Sequence, residues 1–251
     1  MAADSIGSCA VPLTMERERL ARHRGRMIGP GSLRLESVNV ARAKTFEVAT
    51  AVAGETRKFR SAILKAPVAG PVMLRTLGLE GDQQSDRRYH GGPEKAVLLY
   101  DAAAYPFWRE ALKSEPLPPG TFGENLTLGG FATTLEQELH VGDTLRLGDT
   151  ATIQLTTPRQ PCWKLETRMG LPGFAKSYLE SGRLGMYARV VEEGEVAAGA
   201  AVSVISRSPG AQPISDLIRA LYFKDAAARK RVIGDDALEE GLRRRLRADR
   251  G

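Results

Sequence analysis

A chain of 251 residues, 42% hydrophobic and 26% charged, has ordinary globular composition and can bury a sizeable core without disulfide or metal staples. Its formal net charge of +6 sits mostly at the ends, +2 in residues 1–26 and +3 in residues 213–251, so the middle lacks the basic stripe expected of a nucleic-acid binder. No apolar run approaches the roughly 18 residues of a membrane helix, the start has no signal-peptide core, and the expectation is a cytoplasmic protein that binds neither membrane nor nucleic acid directly.

Residues 1–31 read as a tail, in which Met15–Arg26 has too few apolar positions to bury a helix face. From Ser32 the pattern turns to period two. Leu33 and Leu35, then Val38 and Val40, alternate with polar residues, and the one slip between the pairs predicts a β-bulge. Further short strands are predicted at Ser61–Lys65, Val72–Leu77, Ala96–Tyr100, Asn125–Leu128, Thr144–Leu147, Ala151–Thr156, Met186–Val191 and Ala201–Ile205, with Gly, Pro and Asp between them. So many short strands predict a sandwich or a barrel over residues 32–208, and closing the sheet would remove its edges.

Two helices interrupt the strands. Asp101 is a candidate cap for Ala102–Lys113, with Pro106 confined to the first turns. Pro172–Glu180 reads as a second. From residue 213 to residue 251 the period becomes helical: Ile214, Leu217, Ile218 and Leu221 share a face, with Ser215 as a candidate cap. A helix over Lys224–Ile233 follows, and then Leu238, Leu242 and Leu246 at four-residue spacing. The result is a mainly β protein with flanking helices and a small C-terminal helical unit.

Two cysteines, Cys9 and Cys162, make a disulfide framework improbable and a zinc site of three or four cysteines impossible. The histidines His23, His90 and His140 show no short ligand spacing. Three segments carry residues that plain loops do not need. Gly78–Pro93 packs Asp82, Arg87, Arg88 and His90 among glycines that include Gly91; backbone N–H groups beside Arg and His suit an anion such as phosphate. Gly120–Leu126 brings Glu124 and Asn125 to the start of a strand, where an amide can read a heterocycle edge or simply serve a turn. Thr157–Glu166 ends a strand in Pro-Arg-Gln-Pro-Cys, with Arg159 and Lys164 flanking Cys162. Such cations favour the thiolate, the form that binds metals and attacks electrophiles. An inert buried cysteine is the alternative.

Together these segments resemble the MOSC family, the domain found at the C-terminus of molybdenum cofactor sulfurases. The resemblance runs from about Leu33 to Ser206 and rests on Gly-Leu-Glu-Gly-Asp (78–82), His-Gly-Gly (90–92), Phe-Gly-Glu-Asn-Leu (122–126), Val-Gly-Asp (141–143) and Pro-Arg-Gln-Pro-Cys (158–162), in that order. With its helical tail the chain looks most like the bacterial branch that confers resistance to N-hydroxylaminopurine. The resemblance implies a MOSC-type β-barrel and a molybdenum cofactor (molybdopterin) site, with Cys162 as metal ligand and catalytic centre. It further implies cofactor contacts from Asp82, Arg87, Arg88, His90, Gly91, Glu124, Asn125, Arg159 and Lys164.

The implied activity is reduction of small N-hydroxylated compounds, purine bases or similar, with electrons from a separate redox protein, since no flavin, haem or iron–sulfur motif is visible. A non-catalytic cofactor carrier and a sulfur carrier using a Cys162 persulfide are the alternatives. No pyridoxal-phosphate domain like that of the sulfurases is expected, which weighs against the sulfur-carrier alternative.

Overall fold

The computed structural model describes residues 33–49, 55–85, 90–114 and 116–248. The expected tail over residues 1–31, with Cys9, lies outside them. Seven strands close a barrel: β1 (Leu33–Val40), β7 (Val97–Asp101), β8 (Leu126–Gly129), β9 (Thr144–Leu147), β10 (Ala151–Pro158), β11 (Met186–Glu192) and β13 (Ala201–Ser206). The order is β13-β9-β10-β11-β7-β8-β1, and β1 returns to β13 through Leu33 opposite Val202. All these pairs are antiparallel except β7 with β8. Closure pairs the strands at both ends of the sheet, as the many short strands suggested.

β1 shows how sequence sets register. Leu33, Leu35 and Val38 are buried, and the pairing to β8 slips between Leu35 and Ser37. The bulge expected there places Glu36 as the extra residue and returns Val38 to the inner face. Without it, every later side chain of β1 would point the other way.

Smaller elements decorate the ring. β4 (Ala66–Pro67) pairs with β1 outside the barrel, and β5 (Val72–Arg75), β6 (Gly78–Leu79) and β12 (Gly194–Val196) form a three-stranded sheet. β2 (Lys44–Ala49) and β3 (Thr56–Ser61) form a separate hairpin in which Phe46 stacks on Phe59 at 5.2 Å. This corrects the strand expected at Ser61–Lys65, where only Ser61 is extended in a ladder. The Ile63 amide donates to Ser61 Oγ and the Lys65 amide to the Ile63 carbonyl, so this backbone is satisfied locally instead of across a sheet.

Four helices pack around the barrel: α1 (Ala104–Leu112), α2 (Leu135–Glu138), α3 (Trp163–Met169) and α4 (Phe174–Glu180). Asp101 does not cap α1 as expected. Its carboxylate accepts from the amides of Ala103 (2.8 Å) and Leu135 (3.1 Å), tying the end of β7 to the entries of α1 and α2 together. Pro106 is the third residue of α1, where a helix amide has no partner anyway. Under α1 lies an aromatic core in which Trp108 stacks on Tyr178 at 5.5 Å and donates to Tyr100 Oη at 2.7 Å.

After β13 come α5 (Ile214–Tyr222), α6 (Ala226–Ile233) and α7 (Glu240–Ala248). Residue 215 is not the cap of α5: Pro213 precedes the helix and its carbonyl takes the amides of Asp216 and Leu217. α5 serves two cores. Ile214 and Ile218 join the barrel interior, whereas Leu217, Ala220 and Leu221 join a second cluster with Val232, Leu238, Leu242 and Leu246. The helical unit is thereby fixed to the barrel by apolar burial rather than tethered to it. No helix among the described residues is long and apolar enough to cross a membrane.

Glu136 in α2 gives a pH test of this packing. It is 2% exposed, and burial pushes its carboxyl up to about 7, although one oxygen accepts from the Gly185 amide at 2.9 Å. A carboxyl raised in the folded state favours folding while protonated, so its contribution is complete below the unfolded value near 4.5 and is lost as pH rises through about 7. Glu136→Gln is therefore expected to stabilise the fold by about 3 kcal/mol at roughly pH 8.5 and by little at about pH 5, as read by urea unfolding. Equal shifts at both pH values would refute the titration.

Candidate active site

β10 ends at Pro158, and the chain then turns through Pro161 into α3, whose N-cap residue is Cys162 with extended backbone (φ −139°, ψ 170°). The exit is pinned at both ends. The Arg159 amide donates to the Gly185 carbonyl (3.2 Å), and the Leu165 amide donates to the Cys162 carbonyl (2.9 Å) while the Leu165 side chain is fully buried. The thiol is half-buried and forms no disulfide among the described residues. Sequence reasoning placed Cys162 in a proline-stiffened loop; it did not see that α3 begins at the next residue.

Cys162 lies on the wall of a cleft of about 100 Å³. Arg159 and Lys164 from the same exit line it, and Lys65, Asp82 and Asn125 line another part. Lys65 and Asp82 form a buried ion pair at 2.5 Å, with side chains 8% and 7% exposed. Asp82 also accepts from Asn125 Nδ2 (2.9 Å) and the Ala41 amide (2.8 Å), while Asn125 Oδ1 accepts from the Leu98 amide (3.2 Å). Burial lowers the Lys65 pKa, opposed by the Asp82 charge. Asp82 and Asn125 thus brace Lys65 at the cleft wall. Lys65 was missed because it ends a stretch read as an ordinary strand.

Arg159 is 5% exposed; it donates to the Phe122 carbonyl and its guanidinium stands 5.3 Å over the Tyr178 ring. Burial works against its charge, but the phenols of Tyr178 and Tyr187, the Cys162 thiol and Glu124 outweigh that and hold it firmly cationic. A fixed positive charge therefore stands behind the thiol. His90 and Lys95 line the cleft on the side of the Gly-rich segment.

Other expected contacts fall elsewhere. Glu124 is fully buried and is not on the cleft wall. One of its oxygens accepts from Tyr105 Oη, the Gly120 amide and Thr127 Oγ1, its other oxygen has no hydrogen-bond partner among the described residues, and burial raises its pKa. Gly91 does not line the cleft either. A Cβ there would meet Gln84 Oε1 at 2.7 Å, so Gly91 makes room for Gln84, which does line it and which holds the Gly92 amide at 2.8 Å. Arg87 and Arg88 lie outside the described residues.

A second hollow of about 400 Å³ shares His90, Lys95, Cys162 and Tyr187 with the first. Its far wall is Tyr222 of α5 together with α7 and the residue before it, so the helical unit borders the thiol's surroundings. Among the described residues no group of three or more His, Cys, Asp and Glu side chains converges to cage a metal ion.

Comparison with known proteins agrees with this architecture. The MOSC domain family model matches residues 86–203. The uncharacterized protein YflK of Bacillus subtilis (strain 168) is 38% identical over 209 residues, spanning 82% of this chain and 90% of that protein. Protein YiiM of Escherichia coli (strain K12) is 36% identical over 149 residues, 59% of this chain and 65% of that protein. A Gibberella moniliformis protein named reductase is 34% identical over 149 residues, which span 26% of its length. Among solved structures, YiiM from Geobacillus stearothermophilus superposes with a TM-score of 0.67 at 30% identity, covering 86% of this chain and 98% of that one. A seven-stranded closed barrel, a cysteine at the exit of β10 and near full-length similarity to YflK together show that this chain belongs to the MOSC domain family.

Proposed function

We propose that this protein binds the molybdenum cofactor through Cys162 and reduces small N-hydroxylated compounds, N-hydroxylated purine bases or close analogues, in the cytoplasm. The observation that carries this reading is the placement of one half-buried thiol on a cleft walled by Lys65, Arg159 and Lys164. A single soft thiolate with surrounding cations fits a metal that arrives with its own dithiolene ligands on an anionic pterin. When bound, the cofactor would supply two-electron redox chemistry that the side chains cannot. Cys162 would hold the metal. Arg159, beside the Lys65–Asp82 ion pair, would face the anionic part of the cofactor, with Lys164, Lys95 and His90 at the rim. Electrons would come from a separate redox protein. The name reductase borne by the Gibberella moniliformis relative agrees with a reductive role.

The test is expression in a host that loads molybdoenzymes, followed by molybdenum and pterin analysis and reduction of 6-N-hydroxylaminopurine with dithionite as electron source. Near-stoichiometric metal with turnover supports the reading. Metal without turnover makes the protein a carrier. Metal-free protein from a proven host overturns the cofactor assignment and directs attention to persulfide chemistry at Cys162.

A further inference from the structure

The second hollow gives the C-terminal helices a role. We infer that the space of about 400 Å³ between the barrel and α7 is a binding chamber for a planar heteroaromatic of nucleobase size, read by Glu239 and Arg245 of the helical unit. This rests on the proposed reductase function and names where its substrate would sit. Four observations carry it. The chamber shares Cys162 with the smaller cleft, so its occupant would lie beside the thiol. It offers about 400 Å³, room for a nucleobase beyond the adjoining cleft of about 100 Å³.

Its walls also differ in kind. The cleft carries Arg159 and Lys164 beside the Lys65–Asp82 ion pair, whose charges cancel. To the His90, Lys95, Cys162 and Tyr187 that it shares with the cleft, the chamber adds Tyr222, Leu242, Glu239, Arg245 and Gln160. A neutral heterocycle can donate an exocyclic N–H to the Glu239 carboxylate and accept on its ring nitrogens from Arg245 or Gln160. Finally, Arg245 stands 5.3 Å over the Tyr222 ring, so this wall already presents a cation and a π-face together, the pair that stacks on heteroaromatic rings.

Glu239 and Arg245 are exposed, so Glu239→Gln and Arg245→Gln should leave the fold and the metal and pterin content unchanged. The first readout needs no cofactor: iodoacetamide alkylation of Cys162 in the apo protein, followed by peptide mass spectrometry so that Cys9 is counted separately. Adenine is expected to slow alkylation in the wild type and to lose most of that protection in both variants, while protection by inorganic phosphate, which probes the cationic cleft, persists in all three. In loaded protein KM for 6-N-hydroxylaminopurine should rise about tenfold or more in each variant with kcat changed less, as loss of a hydrogen bond to a charged group predicts.

Adenine protection that is absent in the wild type or unchanged in the variants overturns the chamber. Protection that behaves as expected in a protein without turnover keeps the chamber and discards the reductase reading. Turnover with KM unchanged in both variants keeps the reductase and discards the chamber.

Discussion

On the proposed function, Cys162→Ala is expected to reduce bound molybdenum to background and to lower turnover by at least about a hundredfold, because even groups behind a metal ligand are commonly worth tenfold to a hundredfold in affinity or activity. The variant should still fold. Cys162 makes no side-chain hydrogen bond in its N-cap position, its thiol is only half-buried, and the backbone there is held by Arg159, Leu165 and their partners. Losing one partly buried sulfur should cost under about 1 kcal/mol. Metal analysis and urea unfolding on the same preparation separate the two effects. Cys162→Ser adds a control of shape, since it keeps the size and replaces a soft donor by a hard one. Retention of metal by both variants would remove Cys162 from the metal and leave the cationic cleft without its proposed centre.

Gly185→Ala is expected to be the most damaging small substitution in the barrel, at roughly 2–5 kcal/mol, combining strain at a left-handed backbone with overpacking. Gly185 has φ +72°, and a Cβ there would lie 2.3 Å from the Leu99 carbonyl oxygen and 3.1 Å from the Tyr100 ring. Neither can yield. Leu99 is paired with Met186 in the barrel, and Tyr100 lies in the aromatic core. Gly182→Ala is the matched control, with φ +67° and nothing within 4 Å of the added Cβ. It should cost only the conformational part, about 1–2 kcal/mol. Urea unfolding of the pair therefore isolates the steric clash, and equal losses would show that no clash exists. Gly185 also accepts from the Arg159 amide and donates to Glu136, so the displaced backbone should loosen the segment that leads to Cys162. Residual folded protein is accordingly expected to retain less cofactor than wild type.

The barrel was legible in the sequence because strand identity is a local property. Leu33, Leu35 and Val38 declare both the alternation and the bulge of β1 without reference to any other segment, and eight-residue β10 reads as a strand on its own apolar pattern. Pro158, Pro161 and Cys162 mark an abrupt, stiff end to that strand by residue type alone. The hairpin of β2 and β3 was not legible: Lys44–Ala49 and Thr56–Ser61 are largely polar or exposed and carry too weak an alternation to announce pairing.

The site divides in the same way. Residue chemistry pointed to Cys162, Arg159, Lys164, Asp82, Asn125 and His90, and all six line the cleft. It could not tell that Glu124, one residue from Asn125, turns into the core: the chain bends at Asn125 just before β8, and only the hydrogen bonds from Tyr105, Gly120 and Thr127 fix where the Glu124 carboxylate goes. Nor could it place Lys65, whose partner Asp82 lies on a different segment, or the wall made by Tyr222, Glu239 and Arg245. The sequence by itself determined the seven barrel strands, the turn chemistry and the reactive side chain, because these depend on neighbours along the chain. Which charges stand around the thiol, and which helix faces it, was decided only when barrel closure and the shared burial of Ile214 and Ile218 brought distant segments together.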